Sequence, residues 1–240
     1  MLDELLGSVA IAAILIGAGL VAGVADRRNF DFKWLLVAAA LFLVNDVALT
    51  RGLWLIPAVP GLDETWNWSG KFLALAVTLA IAALPIFGWR RIGLTWKQEQ
   101  LRGALLVFAA LVAVYSTMAW FMGEGGGNRE AILYQLTMPG LEEEIFFRGL
   151  FLVALNRAFA GHVRIGGAAI GWALPLNALV FGLVHGLGVQ QGVWSFDAMS
   201  FALPFLGAIP AVWLREKTGS LVLPIILHNF VNTAFVLLPL

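Results

Sequence analysis

The stretch LEEEIFFRGL, Leu141 to Leu150, sets three glutamates and an arginine inside a chain that is 60% hydrophobic and 12% charged, with a mean hydropathy of +0.87. A soluble domain is about half apolar and about a quarter charged. The composition therefore implies an all-α fold, a polytopic membrane helix bundle. In such a setting the four ionisable groups need a reason. One charge at the bilayer centre costs about 2.5–3.5 kcal/mol on insertion scales, and is retained when it faces a partner or a polar cavity.

Outward from that stretch, a bilayer core asks for about 20 apolar residues of helix. Eight segments meet this, at 5–25, 34–50, 70–88, 103–122, 130–158, 167–187, 195–214 and 219–238. The acidic start, Met1 to Glu4, is unlike the basic first region of a signal peptide, so the first segment reads as a retained helix. The fifth is long and holds Pro139-Gly140, where proline removes a backbone donor and predicts a kink. EGGGN at 124–128 reads as the most flexible loop. It divides a four-helix N-terminal part, 1–128, from the part that carries the unusual charges, 129–240. With eight spans, one side collects eleven of the fifteen basic residues: Arg27, Arg28, Lys33, Arg90, Arg91, Lys97, Arg102, Arg157, Arg164, Arg215 and Lys217. The other side has Arg51, Lys71 and Arg129. Basic loops stay cytoplasmic, which puts both termini outside. The tryptophans between Trp54 and Trp68 read as an anchor at the outer interface. Zero net charge gives no footprint for nucleic acid, and zero cysteines exclude disulfides and thiolate sites.

Glu144 and Arg148 are four residues apart, share a helix face and can pair. That leaves Glu142 and Glu143. Adjacent helical positions point about 100° apart, so Glu143 needs a partner on another helix or a hydrated cavity. The chain has three histidines. His162 falls in a solvated loop, whereas His185, in FGLVH, and His228, in HNFVN, fall within spans. His228 and Asn232 are again one turn apart and project from one face, while Asn229 points elsewhere. Phe181, one turn before His185, can wall off its ring. Spans one to four contribute at most Asn45 and Asp46 as strong polar groups within the membrane. Polar groups gathered in the fifth, sixth and eighth spans point to one shared site.

Glu143-Glu144-x-x-x-Arg148, then Phe181-x-x-x-His185, then His228-x-x-x-Asn232 resembles the signature of the CPBP family of intramembrane proteases, which includes the Rce1-like type II CAAX prenyl endopeptidases and the bacterial Abi proteins. The resemblance covers about residues 139–233, and NWSGK at 67–71 looks like a stretch of bacterial members. It implies that Glu143 and His185 activate a hydrolytic water. It implies that His228 and Asn232 stabilise the oxyanion, and that Glu144, Arg148 and Phe181 are supporting. Glu142 is a departure, but only Glu143-Glu144 sets Arg148 at the family's spacing. The chemistry agrees, because peptide hydrolysis needs a base and donors for developing negative charge.

A zinc set of Glu143, His185 and His228 stays open, although no HExxH occurs and the histidines lie on separate helices. A metal-independent mechanism without cofactor is the expectation. Expected partners are a peptide or lipidated protein substrate and the bilayer, and the expected location is a prokaryotic cytoplasmic membrane. Two other classes fit the same residues. One is a non-catalytic peptide-binding, immunity or scaffold protein. The other is a small transporter with a protonatable site, which the lack of inverted repeats disfavours.

Overall fold

Helices dominate the computed structural model, which describes residues 2–51 and 65–238. Among the described residues there are eight helical rods: α1 (Leu2–Ala25), α2 (Phe32–Arg51), α3 (Trp68–Ala82), α4 (Leu101–Met122), a composite fifth, α7 (Ala173–Gly186), α8 (Ala198–Thr218) and α9 (Val222–Leu237). The fifth rod joins α5 (Arg129–Glu143), a π-helical stretch (Glu144–Phe151) and α6 (Leu152–Ala158). The rods match the eight expected segments, and the bundle is all-α as expected. By length and composition, α1, α2, α4 and α8 can cross a membrane, whereas α3, α7 and α9 are shorter apolar helices.

Three expected boundaries are corrected. The third helix ends at Ala82 instead of 88. The starts expected at 167 and 195 fall in two antiparallel hairpins, β1 (His162–Ile165) with β2 (Ala168–Gly171) and β3 (Leu187–Gln190) with β4 (Val193–Phe196). Short apolar runs do not separate strand from helix. Here the turns decide, with positive φ at Gly166 and Gly167 in one hairpin and at Gln191 and Gly192 in the other. His162 is exposed as expected, though on β1 rather than in a loop.

The fifth rod is the core of the molecule. Every residue from Glu144 to Phe151 is buried. Its helix runs unbroken through Pro139, and the irregularity comes just after, as the π-helical turns. Such turns are rare and recur at functional sites. A buried amide on α7 supports them, with Asn177 Nδ2 donating to the Phe147 carbonyl at 2.7 Å. Two close approaches set the neighbours. A Cβ on Gly140 would lie 2.8 Å from the Ile225 carbonyl and closer still to Asn229, so only glycine admits α9 there. Asn229 fills the space, its Oδ1 accepting the Gly140 N–H at 2.8 Å. On α7, Gly182 and Gly186 form a small-residue stripe beneath α8, where a Cβ would meet Phe201 and Phe205 at under 3.0 Å. That stripe leaves Phe181 and His185 on the adjoining face.

The rods alternate between two ends. At one end, Asp3 accepts the Gln191 amide at 2.8 Å, and Glu124 and Gly127 donate to the Phe235 and Val236 carbonyls at 2.9 and 3.2 Å. The glycine loop at 124–128 is thus tied to α9 rather than free. Asp197 caps α8 there, and the hydrogen bond from the Ser200 amide at 2.6 Å holds its carboxyl below the usual range. At the other end, Arg157 donates to the Ile86 carbonyl, Arg215 to Arg91, and Leu221 to Gly93, at 2.8, 2.7 and 3.0 Å. All eleven basic residues grouped from the sequence fall at this second end.

Candidate active site

The π-helical turn and the glutamate just before it carry their charges into contact with three other helices. Glu144 Oε1 lies 2.7 Å from His228 Nδ1 on α9, and its Oε2 lies 3.3 Å from Arg148 Nε one turn on. The expected Glu144–Arg148 pair is therefore present as an ion pair, though not as a well-aligned hydrogen bond. The Arg148 guanidinium sits 3.9 Å above the Phe181 ring. Phe181 also packs against His185, with ring centroids 4.8 Å apart, and against His228 at 6.1 Å. One phenyl ring thus holds both histidines and the arginine.

Glu143 has both of the things the sequence demanded. Its Oε1 accepts from Lys71 Nζ at 2.7 Å, a partner on another helix. Its Oε2 has no hydrogen-bond partner and lies 3.7 Å from His228 Nε2. A cavity is there as well. A void of about 700 Å³ is lined by Glu143, Glu144, Arg148, Phe181, His185, His228 and Asn232, among others. All seven site residues expected from the sequence border this one cavity. Its lining reaches the exposed Glu124 and Met122, and includes nothing from the loops of the basic end. The mouth is therefore at the end that holds the N-terminus and β3–β4.

His185 Nδ1 lies 2.8 Å from the Phe181 carbonyl. A carbonyl only accepts, so Nδ1 is the donor, and in the neutral ring Nε2 holds the lone pair. The ring is exposed within the cavity, and no hydrogen bond or ion pair joins it to Glu143. Asn232 Nδ2 donates one hydrogen to Gln135 Oε1 at 3.0 Å, which leaves the second.

Two readings of the sequence are corrected here. Lys71 is not an outer-loop charge. It is 5% exposed, and its ammonium lies 2.7 Å from both Glu142 and Glu143. The polar site also extends into the N-terminal helices, because Asn45 on α2 donates to Glu142 Oε1 at 2.9 Å. Glu142, the departure from the family pattern, is thus a fully partnered buried carboxylate. The signal for Lys71 was in the sequence: a lone lysine in the first turn of an apolar helix. Side-counting took it for a loop residue. Of the expected tryptophan anchor, residues 54–64 lie outside the described residues. Trp68 is buried, packed edge-on to Tyr134, and Trp66 stacks on the same ring, so these two rings pack against the protein.

The zinc set fares poorly on its own donors. Among the described residues, no group of three histidines and carboxylates converges to hold an ion. Glu143 is already countered by the Lys71 ammonium. The residues present do not fit a metal.

An apolar helical bundle with a charged, cavity-lining cluster at its core defines an integral membrane protein with an intramembrane polar site. Residues 129–234, the stretch that carries the three motifs, match the family model described as type II CAAX prenyl endopeptidase Rce1-like. The match begins ten residues before the resemblance read from the motifs alone, and so takes in α5 from its first turn. Comparison with curated proteins and with solved structures returns no match.

Proposed function

We propose that this protein is an intramembrane endopeptidase that hydrolyses a peptide bond with water activated by Glu143 and His185. The observation that carries the reading is the unpartnered Glu143 Oε2 in a cavity shared with two histidines and Asn232. A water in that cavity donates one proton to Glu143 Oε2 and is oriented by His185 Nε2. Its oxygen attacks the scissile carbonyl carbon. The free hydrogen of Asn232 Nδ2 and the His228 ring stabilise the oxyanion. Collapse breaks the C–N bond, and the proton held on Glu143 passes to the leaving amine. The charges suit this. Lys71 and Arg148 offset two of the three glutamates, and His228 lies against Glu143 and Glu144. Buried charges are tolerated when paired in this way.

The test uses purified protein in detergent with prenylated and unlipidated peptides, and reads new termini by mass spectrometry. Cleavage that survives a chelator is the expected result. Loss of cleavage on chelation, restored by zinc, would overturn the metal-independent mechanism. Prenylated or other membrane-associated chains are the substrate class the family implies.

We infer further that the basic end faces the cytoplasm of a prokaryotic cell, with eight crossings and both termini outside. Eleven of fifteen basic residues at one end support this orientation. It turns the cavity mouth, at Glu124, away from the cytoplasm. The chain has no cysteine, so single substitutions report without background. In intact cells, Glu124→Cys is expected to react with an impermeant maleimide and Arg164→Cys only after lysis. The reverse pattern would invert the orientation.

A further inference from the structure

Beyond the residues that line the cavity, the geometry points to Lys71 as the positioning residue for Glu143, held in register by Glu142 and Asn45. The inference rests on the endopeptidase reading above. Lys71 and Glu142 do not border the cavity, so neither touches a substrate. Their role is exerted through Glu143.

The chain of contacts is short and is buried as far as Glu143, which lines the cavity. Asn45 Nδ2 donates to Glu142 Oε1 at 2.9 Å, and Glu142 Oε2 lies 2.7 Å from Lys71 Nζ. Lys71 Nζ then lies 2.7 Å from Glu143 Oε1. Residues from α2 and α3 thus fix one oxygen of a carboxylate on α5. A carboxylate pinned by one oxygen has one rotational choice left for the other. Oε2 consequently lies 3.7 Å from His228 Nε2 and makes no hydrogen bond within the protein. The arrangement also gives Glu142 a purpose. An ammonium with Glu143 as its sole carboxylate would be free to follow it. A second carboxylate, itself anchored by Asn45, keeps the ammonium fixed. Charged hydrogen bonds of this length are the strong ones, and preorganisation of this kind is what a reacting group needs.

The α3 end of the contact is equally fixed. Lys71 lies in the first turn of α3, where Asn67 caps the helix by accepting the Gly70 amide at 2.9 Å and donates to the Leu49 carbonyl of α2 at 2.8 Å. The cap therefore ties α3 to α2, the helix that supplies Asn45. The N-terminal helices thereby complete the site instead of only surrounding it.

The test compares wild type with Lys71→Met, which keeps the length of the side chain and removes its charge. Expected is a fall in kcat of about a hundredfold, the cost of misplacing a reacting group by about an ångström, with KM little changed. In Lys71→Ala, added propylamine should restore part of kcat, while propanol, of similar shape but uncharged, should not. Glu142→Gln should fall in the same direction as Lys71→Met by a smaller factor. If Lys71→Met fails to fold, the amine and alcohol arms on Lys71→Ala and the Glu142→Gln kinetics decide the matter. A folded Lys71→Met with wild-type kcat, or rescue by propanol as well as by propylamine, overturns the inference and leaves the endopeptidase reading standing. A wild type that cleaves nothing overturns both.

Discussion

Glu143→Gln loses peptide cleavage by about two to four powers of ten, the contribution of a positioned general base, in a protein that still inserts and folds. The substitution preserves shape and retains an oxygen that can accept from Lys71. Lys71 in turn keeps Glu142 as its ion-pair partner. What is lost is the basic Oε2, which makes no hydrogen bond within the protein. The measurement is single-turnover cleavage of the best peptide substrate, beside thermal unfolding in the same detergent. Wild-type rates from a folded Glu143→Gln would remove the glutamate from the mechanism. In cells, full complementation of a deletion by Glu143→Gln would point instead to a peptide-binding or scaffold role.

The second large effect falls on stability. Arg148→Leu should cost about 3–5 kcal/mol, the range for breaking a buried pair by removing one partner. Both members of the pair are 1% exposed. Without the guanidinium, the Glu144 carboxylate stays buried with His228 as its one polar neighbour, and the Phe181 ring loses the cation stacked on it. Unfolding in detergent by denaturant or heat measures the loss. Glu144→Gln combined with Arg148→Leu should recover part of it, because the second change removes the stranded charge. An Arg148→Leu protein as stable as wild type would mean that the pair contributes nothing to the fold. The two predictions separate the roles of adjacent glutamates. Glu143 is expected to matter for rate and Glu144 for the stability of the helix that carries it.

The sequence by itself determined the class of the fold and most of the site. An apolar chain with runs of about 20 residues has few options in a bilayer other than helices, and the rods of the structure follow those runs. Spacing of four on a helix was enough to pair Glu144 with Arg148 and His228 with Asn232 on shared faces. The resemblance carried by three motifs then located the cavity-lining residues before any contact was known. Hydropathy failed where apolar runs end in tight turns, because apolar content does not distinguish a short strand from a helix end. It had no means of seeing β1–β2 or β3–β4.

Tertiary structure alone decided which charges meet. Glu143 and Lys71 are 72 residues apart in sequence and 2.7 Å apart in space. Nothing local distinguishes a lysine at the start of an apolar helix that snorkels to water from one that turns inward to two carboxylates. The difference lies in what the neighbouring helix presents. The same holds for Asn45, which reads as an isolated amide until α2 packs beside Glu142. Tertiary structure also decided which end the cavity opens to, since its walls come from α4, α5, α7, α8 and α9 together. Helix periodicity fixes which residues share a face, and packing between helices fixes which faces share a site.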